Sequence, residues 1–330
     1  MTKVLLTGAS GFIAKHILRE LLENGYEVRA SIRSEKRKSE LEALFPDAKI
    51  EFVFLDLAKD EGWAEALNGM DVLVHTASPF PFSQPKDPQE LIRPAVDGTL
   101  RALNAAKAAG IKRVILTSSC VAIYKDASKP VTESSGESNW TTPDDPSVNA
   151  YEASKTLAEK AAWDFVAENP EIALTTINPG IVLGPAMDKN YGTSLNIVEQ
   201  MMTGKMPMVP AITMPCVDVR DVAKMHVAAI ELEATKGERF AAAADNVAFI
   251  ELGNMIKAAD PQANTPKRQA PNWLLRVMGL FVRDIKAMLP NLGRNLSCSG
   301  AKAEKTLGFT FIPIKDAMAA SAKSIRQFAA

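Results

Sequence analysis

At the start of the chain, the fold is decided by the stretch Lys3-Val4-Leu5-Leu6-Thr7-Gly8-Ala9-Ser10-Gly11-Phe12-Ile13-Ala14. Its apolar first part predicts a buried β-strand, and its last residues open a pattern of apolar side chains at helical spacing. Gly8 allows a tight turn, Gly11 lets the backbone approach a pyrophosphate, and Ala14 lets helix and strand pack closely. A helix N-terminus attracts phosphates, so the turn predicts a dinucleotide site. The residues expected to hold it here are Gly8, Ser10, Gly11, Phe12 and Ile13.

Outward from this turn, short apolar runs alternate with helical patterns as far as residue 180. Strands are predicted near residues 3–7, 27–32, 50–55, 71–75, 112–117 and 172–177. This alternation predicts an α/β fold, a Rossmann doubly wound parallel sheet with a smaller C-terminal substrate-binding part. After Pro179 the rhythm breaks, with a helix predicted over Val217 to Glu231 and a cluster of helices from Phe249 onward.

Composition excludes several classes of function. The 330 residues carry a formal net charge of -1, which provides no field for polyanions, so no nucleic-acid partner is expected. The three cysteines form no CxxC pair, and the three histidines lie apart, so neither a disulfide framework nor a metal site is predicted. The N-terminus shows no signal-peptide pattern and no run is long enough to span a membrane, which favours a cytoplasmic protein without a membrane partner.

The most apolar late stretch, Trp273 to Val282, is interrupted by Arg276. We interpret it as a helix packed on the core, with a membrane or dimer face as the alternative.

The end of the second strand bears on the choice of nucleotide. Many NAD-binding proteins place an acid there to bind the ribose hydroxyls, but this strand ends Ala30-Ser31-Ile32-Arg33. Arg33 can stack beside the adenine and contact a 2'-phosphate, with Lys36 or Arg37 as a second cation. The pattern predicts NADP(H), although a solvated basic helix face would have the same composition.

Two further strand ends are expected to line the cofactor because of their position in the fold. Asp56 and Leu57, which end the third strand, would hold the adenine edge. Thr76, Ala77 and Ser78, which end the fourth, would line the pyrophosphate and ribose.

A tyrosine and a lysine share one face of a predicted helix in Tyr151-Glu152-Ala153-Ser154-Lys155. A free phenol titrates near pH ~10, and an adjacent cation is expected to lower its pKa toward that of a useful acid. Lys155 supplies the cation and can also bind the nicotinamide ribose. The fifth strand delivers Ser118 and Ser119 to the same sheet edge, where a hydroxyl can bond a substrate carbonyl oxygen. The predicted catalytic residues are therefore Ser119, Tyr151 and Lys155.

Together these motifs resemble the extended short-chain dehydrogenases/reductases, closest to dihydroflavonol reductases, cinnamoyl-CoA reductases and NADPH-dependent aldehyde-ketone reductases. The resemblance covers nearly the whole chain. It is carried by Thr7 to Ala14, Asp56-Leu57, His75-Thr76-Ala77-Ser78-Pro79, Thr117-Ser118-Ser119, Tyr151 to Lys155, Asn178 to Pro185, and Val217 to Val222. It implies that Ser119 is the catalytic serine of its pair. It also implies cofactor contacts from Pro179, Gly180, Ile181, Val182 and Ser194.

Two positions depart from that family pattern. Asp97 stands where many extended members have asparagine, which argues against an asparagine-water proton relay. Tyr124 stands where flavonoid-reducing relatives have a substrate-binding asparagine, which argues against flavonoid reduction.

The predicted activity is reversible, NADPH-dependent reduction of an aldehyde or ketone to an alcohol. Residues 1–179, rejoined by 217–246, are expected to form the NADP-binding Rossmann domain, and 180–216 with 247–330 the substrate-binding region. The methionine-rich segment from Gly180 to Val217 predicts an uncharged, moderately apolar substrate. A monomer or homodimer is expected. The alternatives are a nucleotide-sugar epimerase or dehydratase on the same scaffold and a non-catalytic NADP-sensing regulator.

Overall fold

In the computed structural model, which describes residues 1–78, 85–128 and 134–329, seven parallel strands form the main sheet in the order β3-β2-β1-β4-β5-β6-β9. Its strands are β1 Lys3–Thr7, β2 Glu27–Ile32, β3 Ile50–Phe54, β4 Val72–His75, β5 Arg113–Thr117, β6 Ala173–Pro179 and β9 Glu238–Ala242. The predicted α/β Rossmann sheet and its six predicted strands are confirmed. Strand β9 was not predicted, because its sequence Glu-Arg-Phe-Ala-Ala lacks the β-branched run of the other strands.

A smaller sheet, counted over the same described residues, has three strands in the order β10-β8-β7. They are β7 Ile181–Leu183, β8 Thr213–Asp218 and β10 Asp245–Ala248. Gly180 lies where β7 meets β8, and a Cβ atom there would come within 2.2 Å of Pro215 O. Only glycine therefore permits this close approach of the two backbones.

Helices cover both faces of the main sheet. They are α1 Phe12–Glu23, α2 Glu35–Leu44, α3 Trp63–Leu67, α4 Gln89–Ala108, α5 Ala150–Glu168, α6 Gly192–Met202, α7 Val219–Glu231, α8 Phe249–Ala259, α9 Asn272–Met278, α10 Arg283–Met288, α11 Ala301–Leu307 and α12 Ile314–Ala329. Helices α1 and α7 pack together, as do α4 and α5.

Successive side chains along each strand contribute to buried clusters on opposite faces of the main sheet. In β1, Val4 and Leu6 belong to the larger buried cluster, whereas Leu5 belongs to the smaller one with Leu73 and Val114. Successive side chains of a strand point to opposite faces, and helices cover both, so all of these residues can be apolar. This explains why the strands read as continuous apolar runs.

The helix predicted from Val217 begins two residues later, which corrects that boundary. Val217 and Asp218 end strand β8, and α7 starts at Val219. The Asp218 carboxylate accepts a hydrogen bond from the backbone N–H of Arg220 at 2.8 Å, so it acts as the N-cap of the helix.

The interpretation of Trp273 to Val282 as a helix packed on the core is wrong. Helix α9 ends at Met278, and its buried residue is Leu275. Leu280 is 78% and Phe281 84% exposed. A helix this short presents only one side chain to its neighbours before the chain turns, so the other apolar residues stay at the surface. Within the described ranges, no helix combines the length and apolar character needed to cross a membrane.

Candidate active site

The glycine-rich turn brings β1, β4 and α1 together. Gly8 has a φ of +65°, and a Cβ atom there would lie 3.0 Å from the Cα atom of Ala77. Gly11 precedes α1 without any side-chain cap, so the first-turn N–H groups, which include those of Phe12 and Ile13, have no side-chain acceptor. A turn of this kind, open at an uncapped helix N-terminus, fits a pyrophosphate.

Strand β4 is fixed beside this turn through Thr7. The Thr7 hydroxyl oxygen accepts from the backbone N–H groups of Thr76 at 3.1 Å and Ala77 at 3.2 Å. It also lies 2.8 Å from His75 Nδ1. Thr76, Ala77 and the following Ser78 therefore lie at the carboxyl edge next to the turn, as predicted. Pro79, the last residue of that motif, is outside the described residues.

The predicted nucleotide-phosphate cations follow β2 at the same edge. Arg33 and Lys36 are exposed, and no hydrogen bond or ion pair within the described ranges engages either side chain. Arg37 instead lies 2.6 Å from Glu40, so part of its charge is already compensated.

The predicted adenine-edge residues were expected to end the third strand, but β3 ends at Phe54 and they lie just after it. The exposed Asp56 carboxylate accepts from the N–H of Ala58 at 2.9 Å, and the half-buried Leu57 follows it.

The three predicted catalytic residues come together from two elements. Strand β5 leads to Ser119, and helix α5 carries Tyr151 and Lys155 one turn apart. Tyr151 is hydrogen-bonded to Ser119. The Ser119 hydroxyl also lies 3.3 Å from the carbonyl oxygen of Pro179, which begins the predicted nicotinamide-flanking segment through Gly180, Ile181 and Val182. A carbonyl oxygen placed between the serine and tyrosine hydroxyls would meet two donors.

The charge states at this site depart from the sequence expectation. Burial raises the pKa of Tyr151 to about 12, and the Ser119 hydrogen bond only partly opposes this effect. The sequence predicted that Lys155 lowers the pKa of Tyr151. In the folded protein this pKa is raised instead, because desolvation of the phenolate dominates. The phenol is consequently protonated at neutral pH, the form that can donate a proton.

Burial lowers the pKa of Lys155 to about 8, with Glu159 opposing the change. Across the described parts of the chain, no hydrogen bond or ion pair engages the Lys155 ammonium. A half-buried cation that pairs with none of the described residues fits the hydroxyls of a bound ribose.

Beneath the site, one buried carboxylate gathers donors from several elements. Glu159 has no exposed side-chain surface and accepts hydrogen bonds from five groups. These are Ser118 Oγ at 2.5 Å, Thr176 Oγ1 at 2.9 Å, Asn178 Nδ2 at 2.7 Å, Arg239 Nε at 2.7 Å and Trp163 Nε1 at 3.3 Å. Asn178 also donates to the carbonyl oxygen of Ser119 at 3.1 Å. Glu159 thus ties helix α5 to the ends of β5 and β6, where the catalytic serine lies.

Sequence reasoning missed this carboxylate, although its spacing one turn after Lys155 was a usable signal.

A second buried cation joins the glycine-rich turn to the segment before α6. The Lys15 side chain is 1% exposed and forms an ion pair with Asp188. Its ammonium also donates to Asn190 O at 3.0 Å, and the Asn190 amide donates back to Ser10 O at 3.0 Å. The half-buried Ser194 lies in the first turn of α6, next to this link.

Comparison with known proteins identifies the family of this chain. A model of the NAD dependent epimerase/dehydratase family matches residues 4–243. The chain belongs to this family. The resemblance to extended short-chain dehydrogenases/reductases is thereby confirmed.

Proteins similar to this chain include named reductases. A ketoreductase of Aspergillus niger, azaE, is 36% identical, over 94% of this chain and 93% of its own length. The NADPH-dependent methylglyoxal reductase GRE2 of Saccharomyces cerevisiae is 32% identical over 98% of each chain. The crystal structure of yeast methylglyoxal/isovaleraldehyde reductase Gre2 complexed with NADPH superposes with a TM-score of 0.83 at 29% identity, covering 99% of both chains.

The two departures from the family pattern have different environments. Asp97 is exposed on α4 and lines a surface groove with Asp60 and Arg101, so it faces solvent. Tyr124 is buried, and its hydroxyl lies 3.4 Å from Glu152 Oε1, next to the proton donor's helix turn.

The histidines are all buried and make local contacts. His16 bonds Pro185 O at 2.9 Å, and His226 bonds Thr117 Oγ1 at 2.7 Å. No group of His, Cys, Asp and Glu side chains suited to a metal ion occurs within the described ranges.

Proposed function

We propose that this member of the epimerase/dehydratase family is an NADPH-dependent reductase that converts an aldehyde or ketone reversibly to an alcohol. The observation that carries the proposal is the hydrogen-bonded Ser119 and Tyr151 pair beside the half-buried Lys155, whose ammonium pairs with none of the described residues, all at the edge that carries the glycine-rich turn. Relatives named ketoreductase and methylglyoxal reductase, spanning nearly the whole chain, support it.

NADPH, when bound, supplies the hydride. The residues proposed to hold it lie at the carboxyl ends of main-sheet strands, on the adjoining β7, and on α1, α2, α5 and α6. They are Gly8, Ser10, Gly11, Phe12, Ile13, Arg33, Lys36, Arg37, Asp56, Leu57, Thr76, Ala77, Ser78, Tyr151, Lys155, Pro179, Gly180, Ile181, Val182 and Ser194. Arg33 and Lys36, which are exposed and pair with none of the described residues, suit a 2'-phosphate better than the Glu40-paired Arg37 does.

The protein residues divide the remaining chemistry. Ser119 and Tyr151 donate hydrogen bonds to the carbonyl oxygen, where negative charge develops as the hydride arrives. Tyr151 then transfers its phenolic proton to that oxygen, which completes the alcohol. Lys155 holds the ribose and stabilises the phenolate that remains after proton transfer.

The substrate class follows from the surroundings of the site. Met187, Met206, Met208 and Met214 are partly exposed, which leaves flexible apolar side chains for an adaptable pocket. The others in the segment, Met201 and Met202, are core residues. We therefore propose an uncharged, moderately apolar aldehyde or ketone, reduced with broad tolerance.

Two arginines near this segment were candidates for binding a diphosphate. Arg220 is engaged in a bidentate ion pair with the buried Asp218, at 2.7 and 2.9 Å. Arg294 lies close enough to Asp145 for its charge to lower the pKa of that carboxyl, alongside the larger effect of Ser147 hydrogen bonds. Neighbouring carboxylates therefore offset both cations, which disfavours the nucleotide-sugar alternative.

The proposed domain organisation assigns the cofactor and the substrate to different parts of the chain. Residues 1–179 with 217–246 would bind the cofactor, and 180–216 with 247–330 would bind the substrate. We propose a monomer or homodimer in the cytoplasm, with no nucleic-acid or membrane partner. The three free, buried cysteines suit a reducing compartment. The near-zero net charge gives no attraction for nucleic acid.

The test is a panel of aromatic and medium-chain aldehydes and ketones, and methylglyoxal, with NADPH and NADH in parallel. We expect reduction of several members, faster with NADPH. Nucleotide sugars added as competitors should neither react nor inhibit. Tight inhibition by a nucleotide sugar without reduction of any carbonyl would replace the proposal with the epimerase alternative, and cofactor binding without any turnover would favour the regulator.

A further inference from the structure

A buried ion pair joins the segment after Ser119 to the helix that carries Tyr151. Lys125 Nζ lies 2.6 Å from Glu152 Oε2, and both side chains are only 3% exposed. The same ammonium donates to the carbonyl oxygen of Ser147 at 2.5 Å. Lys125 lies in the segment that follows Ser119, and Glu152 directly follows Tyr151, so the pair links the segment after the serine to the first turn of the helix that carries the proton donor.

Both the side chain and the backbone of Glu152 form hydrogen bonds. Its carboxylate accepts from the backbone N–H of Asn149 at 2.9 Å and lies 3.4 Å from the Tyr124 hydroxyl. Its own N–H donates to the Asn149 side chain at 3.0 Å, which completes a capping box at the start of α5. The reciprocal hydrogen bonds of a capping box involve no lysine. Because burying an ion pair seldom increases stability, stability alone does not account for Lys125 beside this box.

The charge of Glu152 acts on the neighbouring phenol. It raises the pKa of Tyr151, after burial and against the Ser119 hydrogen bond. A cation 2.6 Å from that carboxylate compensates its field. Burial lowers the pKa of Lys125, while Glu152 opposes this change and favours the charged ammonium.

We propose that Lys125 and Glu152 are positioning residues for the proposed reduction, which hold Tyr151 against Ser119 and keep a compensated pair beside the phenol. This inference rests on the proposed function. Both residues act through Tyr151. Removing the Lys125 charge should make the phenol of Tyr151 less acidic, and removing the Glu152 charge should make it more acidic.

Other charged or titratable groups surround this region and are left unmutated in every variant of the test. They are Lys155 and Glu159 on α5, Cys120 and Tyr124 on the segment after Ser119, Asp145 before α5, and Arg294 and Cys298 from the C-terminal part.

The experiment compares Lys125→Met, Glu152→Gln, the double variant and Lys125→Arg in the full chain, with the pH dependence of kcat/KM for carbonyl reduction as the readout. Reduction requires the protonated phenol, so activity falls as pH rises through its pKa, which lies above the pH at which Lys155 loses its charge. Lys125→Met leaves an uncompensated carboxylate, so the alkaline fall should move to higher pH. Glu152→Gln leaves an uncompensated ammonium, so the fall should move to lower pH.

The double variant should return the profile toward that of the unmodified protein, and Lys125→Arg should keep it. Each single variant should also lose about tenfold to a hundredfold in kcat, since a displacement of ~1 Å can cost about that much. Lys302→Met is the matched control, because it breaks a Lys–Glu contact of the same 2.6 Å length at the surface and should leave the profile in place.

Equal losses in kcat with unmoved profiles, or movement of both single variants in one direction, would overturn the inference. A titration of tyrosinate absorbance separates this from failure of the proposed function, because it needs no turnover. The chain has four tyrosines, so subtracting the titration of a Tyr151→Phe counterpart isolates the Tyr151 signal. Tyr151 should ionise at lower pH in Glu152→Gln, and an unchanged titration would contradict the inference even if the protein reduces no carbonyl.

Discussion

Replacing Glu159 with glutamine should destabilise the protein strongly, because five donors converge on this fully buried carboxylate. The largest loss comes from Arg239, which is 8% exposed and would keep a charge without its partner. Breaking one side of a buried ion pair costs about 3–5 kcal/mol. The amide NH2 group would in addition face donors that it cannot satisfy.

That loss is large beside a typical unfolding free energy of about 5–15 kcal/mol. We expect a marked fall in the urea midpoint, measured by far-UV circular dichroism, and a Tm lowered by roughly 10 °C, at about 2–4 °C per kcal/mol. The matched control is Glu238→Gln in β9, next to Arg239 in sequence, whose carboxylate is 44% exposed and 2.6 Å from Lys302. It should cost at most about 1 kcal/mol.

A double variant Glu159→Gln with Arg239→Met should recover part of the loss, since removing both charges leaves no uncompensated cation. An unfolding free energy of Glu159→Gln within about 1 kcal/mol of the unmodified protein would refute the reasoning that Glu159 holds the strand ends together.

Three further predictions concern the cofactor and pH. Arg33→Asp should reduce kcat/KM for NADPH by about 10–100-fold and erase the preference over NADH in initial-rate assays, since one charge-assisted hydrogen bond contributes about 1.5–3 kcal/mol; an unchanged preference would assign the 2'-phosphate to other residues. Lys155→Met should weaken both NADPH binding, measured by fluorescence titration, and kcat, and an effect on only one would remove one of the two proposed roles. Burial lowers the pKa of His16 and His226 to about 4 and of His75 to about 3, so each is neutral when folded. These pKa values lie below the unfolded value, so the stability that the neutral histidines contribute is present above about pH 6.5 and should be lost toward about pH 4. The free energy of unfolding should fall by at most about 4 kcal/mol per pH unit. A urea midpoint that stays constant over that pH range would contradict this prediction.

Local patterns explain why much of the fold was predictable. The strand, turn and helix of residues 3–23 need only neighbours in sequence, since alternation of apolar runs and a glycine with positive φ define them. The Tyr151 and Lys155 pair was equally visible, because helical spacing alone puts both on one face.

The parts that were missed depend on distant residues. The exposure of Leu280 and Phe281 is decided by where α9 ends, which apolar composition does not reveal. The acidity of Tyr151 depends on burial by the assembled site, and this outweighs the nearby cation that the sequence shows. Likewise, Lys125 meets Glu152 only after the segment following β5 folds against α5, so no sequence spacing indicates their contact.

Proton donation by Tyr151 is tested most directly by following NADPH oxidation with an aldehyde substrate in the unmodified protein and in Tyr151→Phe. The variant keeps the ring and loses only the hydroxyl that bonds Ser119. We predict that kcat falls by about 10²–10⁴-fold, the usual contribution of a positioned acid, while the Kd for NADPH and the Tm stay close to those of the unmodified protein. Turnover by Tyr151→Phe at nearly the unmodified rate would contradict the account.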